Sequence, residues 1–130
     1  MEKSMFDGFH HVALVVKDMD EAQAYYSDLG IGPFMAPPVQ AIKEIYRGKE
    51  IPVGSFKRRE VLGKMGMSML QLCQPLGGNS PWQEFLHAHG EGVHHVGCML
   101  DDIEMQEVLL WEKGIEIIMS TRFHGSGGSC

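Results

Sequence analysis

The chain has 130 residues, 44% of them hydrophobic and 22% charged, with a formal net charge of −6 at pH 7. This length suffices for one domain with a hydrophobic core, and the acidic balance argues against nucleic acid as a partner, because phosphates require a basic face. No apolar run approaches the roughly 20 residues of a membrane span, and residues 1–8 lack the apolar core of a signal peptide. Three cysteines without a Cys-x-x-Cys spacing argue against a disulfide framework and predict a reducing, cytoplasmic location.

The first predicted elements are a strand and a helix. The run from Phe9 to Val16 is short and rich in β-branched residues, which is typical of a buried strand. Asp18 can cap the helix that follows, with Glu21 completing a capping box. Gly30 marks the end of this helix.

The middle of the chain is predicted to contain strands and then a short helix. Residues 39–59 alternate weakly and include glycines and a proline, which predicts a long irregular hairpin or loop. Two strands follow, at 60–65 and 68–74. Ser80, with Pro81 at the first helical position, then begins a short helix that runs to about His87.

The opening strand and helix recur late in the chain. The triplet His-His-Val stands at 10–12 and again at 94–96, and Asp18 and Gly30 have matches at the same offset in Asp102 and Gly114. Such a duplication predicts a tandem module. The second copy has a strand at 93–100, a helix at 101–113 and a strand at 115–119, and the glycine-rich end at 123–130 is predicted to be a loop.

The second histidine of each pair is the better candidate metal ligand. Because side chains alternate along a strand, the two members of a pair are expected on opposite faces. His11 shares its face with Ala13, and His95 shares its face with Gly97, so this side leaves room for a ligand.

The first histidines, His10 and His94, are predicted to be structural. His10 falls on the same side of its strand as three bulky residues, Val12, Leu14 and Val16. Such a set is suited to packing beneath a helix.

A third candidate ligand is Gln71, a polar residue within an apolar strand. A buried amide oxygen needs a partner, which a metal ion or a backbone strand edge would equally supply. Two imidazoles and an oxygen donor suit zinc, manganese, iron, cobalt or nickel without selecting among them.

These elements predict an α+β fold of two tandem βαβββ modules, which form a curved mixed sheet around a metal cleft in a single domain, residues 1–130. Module one is placed at about 8–76 and a connecting helix at about 80–88. A partial module two, without its last two strands, is placed at about 92–130.

The chain resembles the vicinal oxygen chelate superfamily, which includes glyoxalase I, methylmalonyl-CoA epimerases, extradiol dioxygenases and bleomycin- or fosfomycin-resistance proteins. The resemblance runs from Phe9 to about Phe123, and its motifs succeed one another as they do in methylmalonyl-CoA epimerases. These motifs lie at residues 11–22, 70–77, 80–86 and 90–96. In those epimerases the second histidine of each pair, and a Gln or Glu at the place of Gln71, bind a divalent metal.

The resemblance implies a metal-dependent isomerase or lyase that removes a proton next to a carbonyl and passes through a metal-stabilised enolate. Its small-molecule substrate would be a thioester or a 2-oxo compound. Two alternatives stay open, an extradiol-type dioxygenase and a non-catalytic, drug-sequestering binder. Glu60 is the candidate base, although an exposed strand carboxylate is the simpler interpretation, and Lys57-Arg58-Arg59 is expected to be a solvated strand edge or a contact for an anionic substrate tail.

The family's usual fourth ligand is a glutamate of the final strand of module two, which would fall beyond Cys130. Three explanations compete: a sequence that is part of a longer protein, which we favour, a homodimer that covers the open sheet edge, or an inactive relative. His124 is a conceivable substitute ligand.

Overall fold

Two compact units make up the structure, a computed structural model that describes residues 4–37, 40–123 and 126–129. One unit combines residues 1–37 with 56–99, and the other combines 38–55 with 100–130. A five-stranded sheet lies in the first unit and a four-stranded sheet in the second. The fold is therefore α+β, as predicted.

The helices and strands follow the predicted order as far as the helix at 103–112. In chain order they are β1 (Phe9–Val15), α1 (Met19–Asp28), β2 (Phe34–Met35), β3 (Ala41–Tyr46), β4 (Lys49–Ile51), β5 (Arg58–Met65), β6 (Ser68–Pro75), α2 (Pro81–His89), β7 (Gly92–Cys98), α3 (Ile103–Glu112), β8 (Met119–Phe123) and β9 (Ser126–Ser129), preceded by a 3-10 turn over Met5–Gly8.

The five-stranded sheet of the first unit is mixed. Its strand order is β2-β5-β6-β1-β7, and β1 and β6 run parallel while the other neighbours are antiparallel. The chain connects the parallel pair through α1 and the strands between, since parallel neighbours need a long crossover. β1 therefore lies between β6 and β7, which places both His-His-Val segments side by side.

A small hydrophobic core lies where α1 covers the sheet. Val16, Met19, Leu70 and Leu72 are its buried members. The predicted caps are confirmed: Asp18 accepts a hydrogen bond from the N–H of Glu21, and Ser80 accepts one from Gln83. These caps set where each helix begins and so where the adjoining strand ends.

The second unit has the strand order β4-β3-β8-β9. Residues 41–51 form a regular hairpin, so the hairpin alternative for this segment is confirmed. The strand predicted at 115–119 is wrong, because the N–H of Ile115 bonds to the carbonyl of Leu110 and belongs to the end of α3. The glycine-rich end is not the predicted loop either, since β9 pairs with β8 through its backbone.

In the part of the chain that the structure describes, the helices are too short and too polar to cross a membrane.

Candidate metal centre

Strand β1 contains a β-bulge at its first histidine. Phe9 pairs with Cys98 and His11 pairs with Gly97, so two steps along β1 match one step along β7. His10 is the extra residue. A bulge interrupts the alternation of side chains and re-aims them.

Strand β7 contains the corresponding bulge. Ala13 pairs with His95 and Leu14 pairs with Val93, which leaves His94 as the extra residue. Both copies of the histidine pair thus carry the same irregularity, at equivalent positions of two antiparallel strands.

The bulges bring the rings of each pair together. The Nδ1 atoms of His10 and His11 are 2.9 Å apart, and those of His94 and His95 are also 2.9 Å apart. The Nε2 atoms of His11 and His95 lie 3.4 Å apart. The prediction that each pair divides between opposite faces is therefore wrong, because it assumed regular alternation.

Gly97, the small residue on the face of His95, lies opposite His11 and leaves space for the ring of that histidine. A Cβ atom built on Gly97 would lie 2.0 Å from Cε1 of His11, so the imidazole occupies the space that a side chain would take. Ala13, the small residue on the face of His11, is completely buried. We call the side of the sheet that carries His11, Ala13, Gln71 and His95 the histidine face.

Gln71 belongs to the histidine face because its strand partner in β6–β1 pairing is Ala13, which also pairs with His95. Its Oε1 atom is buried and, among the described residues, has no hydrogen-bond partner. An orphaned buried oxygen costs about 1–3 kcal/mol. A metal ion is one ligand that would satisfy it.

The donor set fits a divalent metal. Two imidazole nitrogens on one tetrahedral zinc ion, each bonded at about 2.0–2.1 Å, stand about 3.4 Å apart. The Nε2 atoms of His11 and His95 have this separation. Among the described residues, no three His, Cys, Asp or Glu side chains form a group that could hold a metal, so a third protein ligand here depends on the amide of Gln71.

Glu60 and Arg58 lie on the same side of the sheet as Gln71. Leu62 pairs with Gln71, and alternation then places Glu60 and Arg58 on the same face. The two side chains form an ion pair and are only 21% and 19% exposed. The expectations of an exposed carboxylate and, for Arg58, of a solvated strand edge are therefore wrong.

Trp82 of α2 fixes the position of the arginine. The guanidinium carbon of Arg58 lies 3.9 Å from the centroid of the Trp82 ring, within the range of a cation–π interaction. Trp82 is 5% exposed and also stacks on His94 with the ring centroids 5.9 Å apart. One helix thereby supports both the ion pair and the second histidine pair.

Cys73 lies beside the same ion pair. Its Sγ atom is 4.0 Å from Oε1 of Glu60, and burial, reinforced by the Glu60 charge, raises the pKa of the thiol above its usual range. The thiol therefore stays protonated, as expected for the small buried hydrophobe predicted from the sequence.

Electrostatics keep the candidate ligands neutral. Burial, with positive charge on His94, His11 and Arg58 adding to its effect, lowers the pKa of His95 to about 4. Burial also lowers the pKa of His11, with His10 adding to the effect and Glu60 opposing it. Neutral imidazoles are the form that binds metals.

This low pKa predicts a pH-dependent stability of the metal-free protein. The unfolded chain takes up a proton at His95 near its ordinary pKa of 6.5, whereas the folded chain does so only near 4. Between these two pKa values the unfolded state binds more protons than the folded state does. The stability that is present above pH 6.5 is therefore lost as the pH falls toward 4. Urea unfolding with a chelator present, at about pH 7.5 and about pH 5, measures the loss.

His95→Gln is the matched variant for this measurement, because it removes the titrating group and keeps a polar side chain. We expect its unfolding free energy to fall less than that of the wild type between the two pH values. An equal fall in both proteins would show that His95 does not contribute.

Four site residues were not predicted as such. Arg58 could have been found by aligning the 58–65 and 68–75 strands as a hairpin, which places it on the face of Gln71. Trp82 could not have been found in this way, because it lies on α2. His10 and His94 had no signal of their own, because a bulge is a property of strand pairing. His124, the conceivable substitute ligand, lies outside the described residues.

The α+β fold has a mixed sheet in which the two His-His-Val strands lie side by side, and its histidine face fits a divalent metal. These features define the vicinal-oxygen-chelate class of fold. The glyoxalase/bleomycin resistance protein/dioxygenase superfamily model matches residues 10–129. The chain belongs to this superfamily, as its sequence motifs predict.

Several proteins that are similar to this chain are methylmalonyl-CoA epimerases. The chain is 29% identical over 120 residues to mitochondrial methylmalonyl-CoA epimerase of Bos taurus, covering 92% of this chain and 61% of the relative. The crystal structure of methylmalonyl-CoA epimerase from Mycobacterium tuberculosis has a TM-score of 0.68 at 21% identity, over 95% of this chain and 83% of that one. A methylmalonyl-CoA epimerase in complex with methylmalonyl-CoA and NH4+ has a TM-score of 0.64 at 21% identity, over 89% and 83% of the two chains. The chain spans about three fifths of the length of the curated relatives it matches.

Proposed function

We propose that this chain catalyses metal-dependent proton transfer at the carbon next to a thioester carbonyl, as an epimerase of the methylmalonyl-CoA type. The observation that carries the proposal is the Nε2 pair of His11 and His95 at 3.4 Å, with the orphaned Oε1 of Gln71 on the same face. The names of the relatives support the substrate class, since one of them is in complex with methylmalonyl-CoA.

His11, Gln71 and His95 would hold the ion. A bound divalent cation would act as a Lewis acid that stabilises the negative charge of an enolate. The donors are neutral, so the full positive charge of the ion stays available to the substrate oxygens. The ion itself is not specified, because zinc, cobalt, manganese, nickel and iron all accept this donor set.

Glu60 would act as the base. It is the only carboxylate among the strand residues of the five-stranded sheet that the structure describes, and it lies on the histidine face. Its charge reaches His11, where it opposes the lowering of the pKa by burial and by His10. The ion pair with Arg58 orients the carboxylate, and the contact with Trp82 holds Arg58 in turn.

The proton transfer can be tested directly with one epimer of methylmalonyl-CoA in deuterated water. We expect the chain, loaded with zinc or cobalt, to exchange the proton at the substituted carbon for deuterium, as followed by NMR. EDTA should abolish the exchange, and added metal should restore it. A chain without bound divalent metal, in which His11→Ala and His95→Ala leave ligand binding unchanged, would support a drug-sequestering binder instead.

Two further substrates test the lyase and dioxygenase functions. The hemithioacetal of methylglyoxal and glutathione tests a glyoxalase-type lyase, and a catechol with Fe²⁺ and oxygen tests an extradiol dioxygenase. We expect turnover of neither.

The homodimer and the cytoplasmic location stay predictions.

A further inference from the structure

The four histidines form one continuous row of rings. His10 faces His11 through Nδ1, His11 faces His95 through Nε2, and His95 faces His94 through Nδ1. The row is symmetric about the gap between the two central rings. Each candidate ligand thus has a histidine partner on the nitrogen that points away from this gap.

Hydrogen bonding restricts the protons within each pair. A neutral imidazole carries one N–H donor and one bare acceptor nitrogen. Two Nδ1 atoms at 2.9 Å share one proton, so one ring of the pair is the Nδ1–H tautomer and the other is the Nε2–H tautomer. Two arrangements are possible, and only one leaves the Nε2 atom of the ligand bare.

The role of His11 and His95 as ligands selects between the two arrangements. A metal-binding imidazole must present a bare nitrogen to the ion. The Nε2 atoms of His11 and His95 are the ones that face each other, at 3.4 Å, so each of these two rings must carry its proton on Nδ1. Nδ1 of His94 is then an acceptor, and His95 carries its proton on Nδ1 with Nε2 bare.

The His94 ring is held in place for this role by aromatic neighbours. Trp82 stacks on it, and Phe85 meets it edge-on with the ring centroids 5.2 Å apart. A fixed ring gives the hydrogen bond to His95 a fixed direction.

We propose that His10 and His94 are positioning residues that accept a proton from Nδ1 of His11 and His95, respectively, and so present the two bare Nε2 atoms to the metal. The inference rests on the metal site of the proposed function. Partners of this kind on the second nitrogen of a metal-binding histidine orient the ring and increase its basicity, and their loss weakens metal binding about 10- to 100-fold.

The tautomers can be observed in the metal-free protein by long-range ¹H–¹⁵N correlation NMR of uniformly labelled chain. We expect His11 and His95 as Nδ1–H tautomers and His10 and His94 as Nε2–H tautomers. The reverse assignment for both pairs would overturn the inference, whatever the activity of the protein.

Metal affinity tests the consequence. Titration with cobalt, followed by its visible absorption, should show about 10- to 100-fold weaker binding for His10→Phe, which keeps the ring volume and removes the acceptor. His10→Asn places an amide oxygen near the lost Nδ1 atom and should restore most of the affinity. His94→Phe, which retains the aromatic stack, should weaken binding to a similar extent.

Two controls separate positioning from general damage. His87→Phe changes an exposed histidine of α2 and should leave the cobalt affinity unchanged. In a His11→Ala background, His10→Phe should have little further effect, because His10 acts through His11.

The outcomes distinguish the inference from the function on which it rests. Tight cobalt binding by the wild type and equally tight binding by His10→Phe and His94→Phe would overturn the inference alone. Absence of binding by the wild type would overturn the proposed metal site and this inference together. Equal losses in the Phe and Asn variants of His10 would show that an acceptor near the lost Nδ1 atom does not restore the affinity, which also contradicts the proposal.

Discussion

Glu60→Gln is expected to lower the rate of deuterium exchange into the thioester about 10²- to 10⁴-fold, the usual contribution of a general base. The amide keeps the size of the side chain and can still accept a hydrogen bond from Arg58, but it cannot take up the substrate proton. Cobalt affinity should stay within about threefold of the wild type, because Glu60 is not among the proposed ligands. Exchange kinetics and cobalt titration on the same preparation measure both quantities.

Glu84→Gln is the matched control, since it makes the same change at an exposed position of α2. It should leave the exchange rate unchanged. A Glu60→Gln protein that retains full exchange would remove Glu60 from the mechanism and leave the proposed metal site intact. Parallel loss of exchange and cobalt binding would instead indicate that the carboxylate supports the metal.

Several elements of the fold could be predicted from short-range features of the sequence. The apolar run at Phe9 and the caps at Asp18 and Ser80 are short-range features, and they placed β1, α1 and α2 nearly at their observed bounds. Residues 115–119 show where such signals fail. An apolar, β-branched run indicates a strand, yet its first residue is held at the end of α3 by a hydrogen bond that composition does not reveal.

The site was predictable to the extent that it depends on residue size and duplication. His11 and His95 were selected by the small neighbours Ala13 and Gly97, and the structure places the rings of these two histidines together over that space. Gln71 was selected as a polar residue in an apolar strand, and its orphaned oxygen agrees with that argument.

Pairing between strands decides the rest of the site. The surroundings of Glu60 depend on the register of β5 against β6, and those of His10 and His94 depend on a one-residue shift between β1 and β7. Because a bulge re-aims a side chain without changing its sequence neighbours, alternation alone assigned the first histidines to the wrong face. Long-range register is the information that a single sequence lacks.

Gly97→Ala is expected to damage the metal site far more than the fold. The new Cβ atom would lie 2.0 Å from Cε1 and 2.4 Å from Nε2 of His11, so the imidazole has to move. The ring is the mobile end of a side chain, and alanine is otherwise acceptable in a strand, so we expect a stability loss within about 2 kcal/mol. Displacement of a positioned group by about 1 Å can lower a reaction rate about 100-fold. We expect the rate of deuterium exchange and the cobalt affinity to fall to about that extent.

Gly92→Ala provides the comparison for this variant, because it makes the same substitution in the same strand. A Cβ atom there would meet only the Phe85 ring, at 3.9 Å, which is ordinary van der Waals contact. Gly92→Ala should therefore bind cobalt as the wild type does, and urea unfolding of both variants should show comparable stability. If Gly97→Ala also binds cobalt normally, the ring of His11 does not need the space above Gly97, and His11 would have to be withdrawn as a ligand in this geometry.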